Sequence, residues 1–273
     1  MISTKKNLIF TVTHGRTGTT MLAEVLKLFD HIHSEHEPEP NYASIFPDIK
    51  QDPRFAIDFL KKKIKKINES KAKHYAETSN VFGKGFLIPL ARMGICPNLI
   101  FLNRNFRDTA KSLYVRGSYP ARTPMGQHYS SDPSAPGSLP IFDVDSLTNY
   151  QLCYWGVLDS YHRQLYAQKI CTDLGKQYVW TSPGELQDFD TTMAIGKHLG
   201  LTISEPERAR EQHKRVTALH HNPNRGGNNE EPEIDYGLEE TEVIDRVAFF
   251  DPLFIDMVRG CVFFDSRLSG KVS

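Results

Sequence analysis

Apolar and polar positions fall in blocks along this chain. Leu8, Ile9, Phe10 and Val12 form a short apolar run, the pattern of a strand buried on both faces. A polar stretch follows, Thr13-His14-Gly15-Arg16-Thr17-Gly18-Thr19-Thr20, and then Leu22, Val25, Leu26 and Phe29 recur at the spacing of one helix face. Strand, glycine loop and helix in that order open a βαβ unit. Further strand-like runs lie at 74–77, 99–102 and 178–180, and the apolar one at 99–102 stops at Asn103-Arg104. Helical patterns cover 106–115 and a segment ending near Leu199-Gly200. Strands alternating with helices predict an α/β fold with a central, mainly parallel sheet flanked by helices in three layers.

The remaining segments are less regular. Residues 55–67 read as a surface helix, with Leu60, Ile64 and Ile67 inward and Lys61 to Lys63, Lys65 and Lys66 outward in solvent. Residues 117–145 are rich in Pro, Ser and Gly without helical period, which predicts a lid-like loop. A long helix is expected at 147–174, with Leu158, Tyr161 and Leu165 on one side and Trp155 in the core. A second polar loop, 222–235, contains Arg225-Gly226-Gly227, and 251–264 reads as a packed terminal helix. No repeat or linker interrupts the pattern, so residues 1–273 are expected to form a single domain.

Composition narrows the function. Lys+Arg and Asp+Glu are both 33, so nucleic-acid binding by bulk counterion release is not expected. No apolar run reaches the ~18 residues of a membrane span. The first ten residues turn polar too soon for a secretory segment, and four cysteines (Cys96, Cys153, Cys171, Cys261) lack paired spacing. A cytoplasmic protein with reduced thiols is the expectation.

The chemistry gathers at the glycine loop. A loop entering a helix N-terminus presents N–H groups to an anion; Thr17, Thr19 and Thr20 add hydroxyls and Arg16 a guanidinium fork. Walker A spacing is absent, because Gly15 and Gly18 have only two residues between them and no lysine follows. Arg104 ends an apolar strand where a P-loop kinase would place a magnesium-holding carboxylate, and Ser112 lies eight residues on. A metal-free site for two phosphate-type groups follows, at the carboxyl edge of the sheet.

These residues resemble a known family. Gly15-Arg16-Thr17-Gly18-Thr19-Thr20 is similar to the 5′-phosphosulfate loop of sulfotransferases that use 3′-phosphoadenosine 5′-phosphosulfate (PAPS), in its Arg-Ser-Gly-Thr-Thr form with Thr17 for serine. The run Arg104 to Ser112 resembles the family's 3′-phosphate motif, with Phe106 where many members have proline. Ser182-Pro183-Gly184-Glu185-Leu186 and His198-Leu199-Gly200-Leu201 look like a degraded form of its late strand and helix, so the resemblance covers roughly residues 7 to 203.

The resemblance implies a P-loop-like fold and sulfuryl transfer from PAPS to a hydroxyl or amine of a small-molecule acceptor. It places Gly15, Arg16, Thr17, Gly18, Thr19 and Thr20 on the 5′-phosphosulfate, with Arg16 assisting the leaving group. Arg104 and Ser112 clamp the 3′-phosphate, and Arg225 belongs to a possible covering loop that reads equally well as a plain turn. The family's base falls on Glu37, with His36 as competitor. Its catalytic lysine has no counterpart near Glu77-Thr78-Ser79-Asn80; Lys84, further on, is the weaker substitute. His31, His33 and His36 invite a metal reading, but no cysteine lies near and none is assigned. A P-loop kinase and a non-catalytic nucleotide-binding protein of the same fold are the competing readings. Acceptor identity, O- versus N-sulfation and oligomeric state stay open.

Overall fold

A computed structural model describes residues 3–219 and 234–264, and in it the apolar runs become a five-stranded, all-parallel sheet. The strands are β1 (Asn7–Thr13), β2 (Ile32–His36), β3 (His74–Thr78), β4 (Asn98–Leu102) and β5 (Tyr178–Thr181), in the order β2-β3-β1-β4-β5. Strand β1 is central because its apolar run supplies both faces. Leu8, Phe10 and Val12 join one buried cluster and Ile9 another. Each such side chain contributes about 1.5–3 kcal/mol on burial.

The described helices are α1 (Thr19–Leu26), α2 (Phe46–Gln51), α3 (Ala56–Glu69), α4 (Leu87–Arg92), α5 (Phe106–Val115), α6 (Pro124–Tyr129), α7 (Asn149–Asp173), α8 (Phe189–His198), α9 (Pro206–Ala218), α10 (Tyr236–Ala248) and α11 (Pro252–Arg259). Residues of α2, α3 and α4 pack with Leu8, Phe10 and Val12, and those of α1 and α8 with Ile9, so helices cover both faces of the sheet. A third cluster joins α5, α7, α10 and α11. Helix α7 starts on a capping box between Thr148 and Gln151, and its first half is buried almost all round, Trp155 included. The described fold is thus the three-layer α/β arrangement expected.

Three expectations change. Segment 117–145 carries helix α6, capped by the Thr123 hydroxyl accepting from the Gly126 N–H. Lys50 Nζ donates to the Gln127 carbonyl at 2.6 Å and Lys84 Nζ to that of Tyr129 at 2.6 Å, while Leu139 is buried and its N–H donates to Asp159. The segment is docked by lysines at the C-terminal end of α6, where helix carbonyls lack partners. The second change is Lys63: it lies in the core, 1% exposed, and not in solvent with its lysine neighbours. The spacing 56, 59, 60, 63, 64, 67 puts it on the inward face of α3. The terminal helix is shorter than expected, with a turn leading on to the buried Phe264.

Candidate functional site

Strands β1 to β4 deliver their C-terminal ends to one edge of the sheet, and the singled-out residues gather there. After β1 the chain makes a tight turn in which Arg16 has φ +73° and Gly18 φ +91°. Gly18 is the N-cap of α1 and offers no side-chain cap, leaving the helix entrance open. A Cβ on Gly18 would also lie 3.2 Å from Pro183 Cγ, and one on Gly15 2.9 Å from Asn80 Nδ2, so the loop is held close on both sides. Among the described residues, no carbonyl or side chain accepts from the N–H groups of Arg16, Thr17, Gly18 or Thr19. Those donors lie at the loop and first turn of α1, where helix N-termini bind anions.

Thr17 has a different part in this than its hydroxyl suggests. Its Oγ1 is buried, donates to the His14 carbonyl at 2.9 Å and sits 2.6 Å from Thr13 Oγ1. Thr13 Oγ1 in turn donates to Leu102 O on β4. The hydroxyls therefore shape the loop, and Thr17 keeps only its N–H without a partner among the described residues.

Arg16 and Ser112, 96 residues apart, meet directly: Arg16 Nε donates to Ser112 Oγ at 3.0 Å. Two more guanidiniums bear on it: Arg116 lines the same cleft, and Arg104 acts through its charge. Burial, then Arg116, then Arg104 hold Arg16 below its ordinary pKa. Arg104, on the exposed turn between β4 and α5, has among the described residues only a loose partner, Asp108, at 3.6 Å. Arg116 caps the C-terminus of the same helix that carries Ser112 and was not singled out from the sequence. A helix-periodic reading from Ser112 would have found it one turn on.

His36 and Glu37 line one cleft of about 290 Å³ with Arg16 and Arg116, and Asn80, Leu113, Met125 and Tyr129 also line it. His36 Nδ1 lies 2.9 Å from the Thr78 carbonyl and 3.2 Å from its hydroxyl. A carbonyl can only accept, so the neutral ring carries its proton on Nδ1 and keeps the Nε2 lone pair. Glu37 has a left-handed backbone, φ +48°, secured by its N–H on Thr78 O at 3.2 Å and by Asn41 Nδ2 donating to its carbonyl at 3.1 Å. Non-glycine residues enter that region at a cost of about 1–3 kcal/mol, and such positions cluster at functional sites.

Of the other residues considered, His33 pairs with Glu35 at 2.9 Å and stacks on Tyr75, away from His36 on Thr78. Thr78 and Ser79 are buried and bonded to Thr19 O and to Thr11, respectively. Lys84 is buried beneath α6, and desolvation pushes it down to about 7. His128 and Phe142 are absent from the cleft lining, whereas Tyr129 lies on it. Arg225 lies outside the described residues.

Behind the loop, His14 is fully enclosed, and its Nε2 has no partner among the described residues. Burial, with Lys84 adding to it, carries the imidazole from 6.5 down to about 3; the Gly15 carbonyl and Asp159 oppose the shift. The unfolded chain binds this proton and the folded one does not, so the stability His14 contributes is present above pH ~6.5 and lost as pH falls toward 3. The Tm advantage of the native protein over a His14→Gln variant is expected to shrink between about pH 7 and pH 4. A gap that stays constant in thermal melts would contradict a neutral buried imidazole.

No protein-family model matches the chain, and no curated protein does. Among solved structures it is similar to mouse sulfotransferase SULT7A1 complexed with PAP. That likeness has a TM-score of 0.44 and 16% identity, and covers 79% of this chain. It covers 66% of that one, so the chain spans just under two thirds of the neighbour's length. Among the described residues no helix is long and apolar enough to cross a membrane.

Proposed function

We propose that this protein is a PAPS-dependent sulfotransferase that moves a sulfuryl group in line from PAPS to a hydroxyl or amine of a small-molecule acceptor. The observation that carries the reading is the open helix entrance beside Arg16, which is bonded to Ser112 and lines one cleft with Arg116, while Arg104 bears on it through its charge. Guanidiniums that repel one another and face unpaired N–H groups are completed by an anion with more than one phosphate-type group. No carboxylate stands at the end of β4 to hold a metal beside them, because the chain runs Asn103-Arg104 there.

In this reading Gly15, Arg16, Thr17, Gly18, Thr19 and Thr20 wrap the 5′-phosphosulfate with backbone N–H groups and the Arg16 fork. The developing charge on the bridging oxygen falls between Arg16 and the α1 entrance. Arg104 and Ser112 take the 3′-phosphate, the group that separates PAPS from ATP. Glu37 is the base that accepts the acceptor's proton, and His36, anchored on Thr78, orients the acceptor beside it. PAPS, when bound, supplies the sulfuryl group; the acceptor enters beneath α6, past Met125 and Tyr129. Arg225 is assigned to a loop covering the 3′-phosphate.

The clamp has a direct test. Arg104→Ala is expected to weaken 3′-phosphoadenosine 5′-phosphate (PAP) by roughly tenfold to 100-fold in calorimetric titration, the loss of one charge-assisted contact. AMP, which lacks the 3′-phosphate, should change by less than threefold. Equal losses for both ligands would remove Arg104 from the 3′-phosphate.

A further inference from the structure

Helix α3 presents Ala56, Phe59, Leu60, Lys63, Ile64 and Ile67 to the core, and Lys63 is the one charged member of that face. Its ammonium has three protons and three oxygens around it. Nζ lies 2.7 Å from Glu77 Oε1 and donates to the carbonyls of Pro40 at 2.8 Å and Pro38 at 3.1 Å. It also stands 4.8 Å over the Tyr42 ring. Glu77 is 1% exposed, and its other oxygen accepts from Tyr75 OH at 3.1 Å.

As a source of stability this pair is a poor choice. Burial pushes the Glu77 carboxyl up to about 7 even with Lys63 beside it, and apolar residues of similar volume commonly replace buried ion pairs at no loss. Two of the three Lys63 contacts are instead to backbone carbonyls of the turn that follows Glu37. Prolines at 38 and 40 have no N–H with which to tie that turn to the sheet. The carbonyls are the handles left, and Lys63 reaches them through the core.

We infer that Lys63 is a positioning residue: its ammonium, braced by Glu77, holds the Pro38 and Pro40 carbonyls and so fixes Glu37 in its left-handed conformation on the wall of the cleft. Glu37 is gripped on one side by Thr78 O and Asn41, and on the other by this lysine. Losing the lysine contacts frees the turn to relax out of the left-handed region, and Glu37 leaves the cleft. The backbone part of this inference needs no assumption about the reaction; its catalytic consequence rests on the sulfotransferase reading above.

Two variants separate the roles of the two side chains. Lys63→Met with Glu77→Gln removes both charges while leaving Tyr75 OH an acceptor. Glu77→Gln alone keeps the lysine and its carbonyl contacts. The double variant is expected to fold with a Tm within a few degrees of native and to bind PAP within about threefold. Hydrogen exchange at the amides of residues 36–43 should be at least tenfold faster, and PAPS-dependent sulfation of a screened acceptor should fall 30-fold or more in kcat. Glu77→Gln alone leaves a buried ammonium without its counter-ion and should lower Tm more than the double variant does, while exchange at residues 36–43 stays slower than in the double variant because the carbonyl contacts of Lys63 remain. Unchanged exchange in the double variant would overturn the inference, as would a double variant that fails to fold, which would make Lys63 a core residue only. Faster exchange with no PAP binding in any variant, native included, would leave the clamp standing and remove the sulfotransferase reading.

Discussion

Arg16→Ala is expected to weaken PAP binding by roughly tenfold to 150-fold and to lower sulfuryl transfer by a further ~10²–10³-fold, with stability unchanged within about 0.5 kcal/mol. The three parts of that expectation have one source. Burial and then the charges of Arg116 and Arg104 bear on Arg16, and no carboxylate pairs with it among the described residues. In the reaction proposed above, deleting it therefore relieves that repulsion in the ligand-free protein while removing the fork assigned to the 5′ group. The further loss in turnover arises because charge builds on the bridging oxygen only as the sulfuryl group departs. Arg16→Lys should recover part of the binding but not the two-point geometry. Thermal melts with titration and single-turnover assays read all three quantities. A Tm drop of ten degrees or more would assign Arg16 to the fold instead.

The second large effect falls on Glu37, which lines the same cleft. Glu37→Gln is expected to cut turnover by about 10²–10⁴-fold while leaving PAP binding within about threefold, the mark of a lost general base. His36→Ala should cost about tenfold or less, since a residue that only orients the acceptor removes part of its alignment. Both residues line the cleft, but the left-handed backbone and its supports belong to Glu37, whereas the ring of His36 hangs from Thr78 by one nitrogen. The comparison is decisive in either direction. If His36→Ala shows the larger loss, the Nε2 lone pair is the base and Glu37 takes the positioning role.

How much of this was legible in the sequence depends on the range of the interaction involved. Strands β1 and β4 could be read because parallel strands buried on both faces are written as short apolar runs, β3 and β5 from shorter runs of strand-forming residues, and the loop after β1 from its glycines. Helix α6 was not legible. It is six residues long, begins at a proline, and is held by lysines from α2 and from the turn before α4, contacts no local pattern encodes. Helix α9, thick with charge, lacks an apolar stripe, and its buried residues are Ala209 and His213. The Lys63 position was present in the spacing yet was overruled by the expectation that lysines in a run stay in water. The candidate site divides the same way. Arg16, Arg104, His36 and Glu37 come from motifs that fit within a few residues, whereas the Arg16–Ser112 contact and the approach of Arg116 exist only after the sheet has brought β1 and α5 together.

The central claim is that a metal-free site here recognises the 3′,5′-bisphosphate pattern. Calorimetric titration with PAP, run against ATP and AMP in the presence of EDTA, tests it most directly. The account predicts PAP binding at least 100-fold tighter than either competitor, with no response to added magnesium. Preference for ATP, or binding that requires magnesium, would contradict it and make the arginine cluster part of a phosphotransferase site.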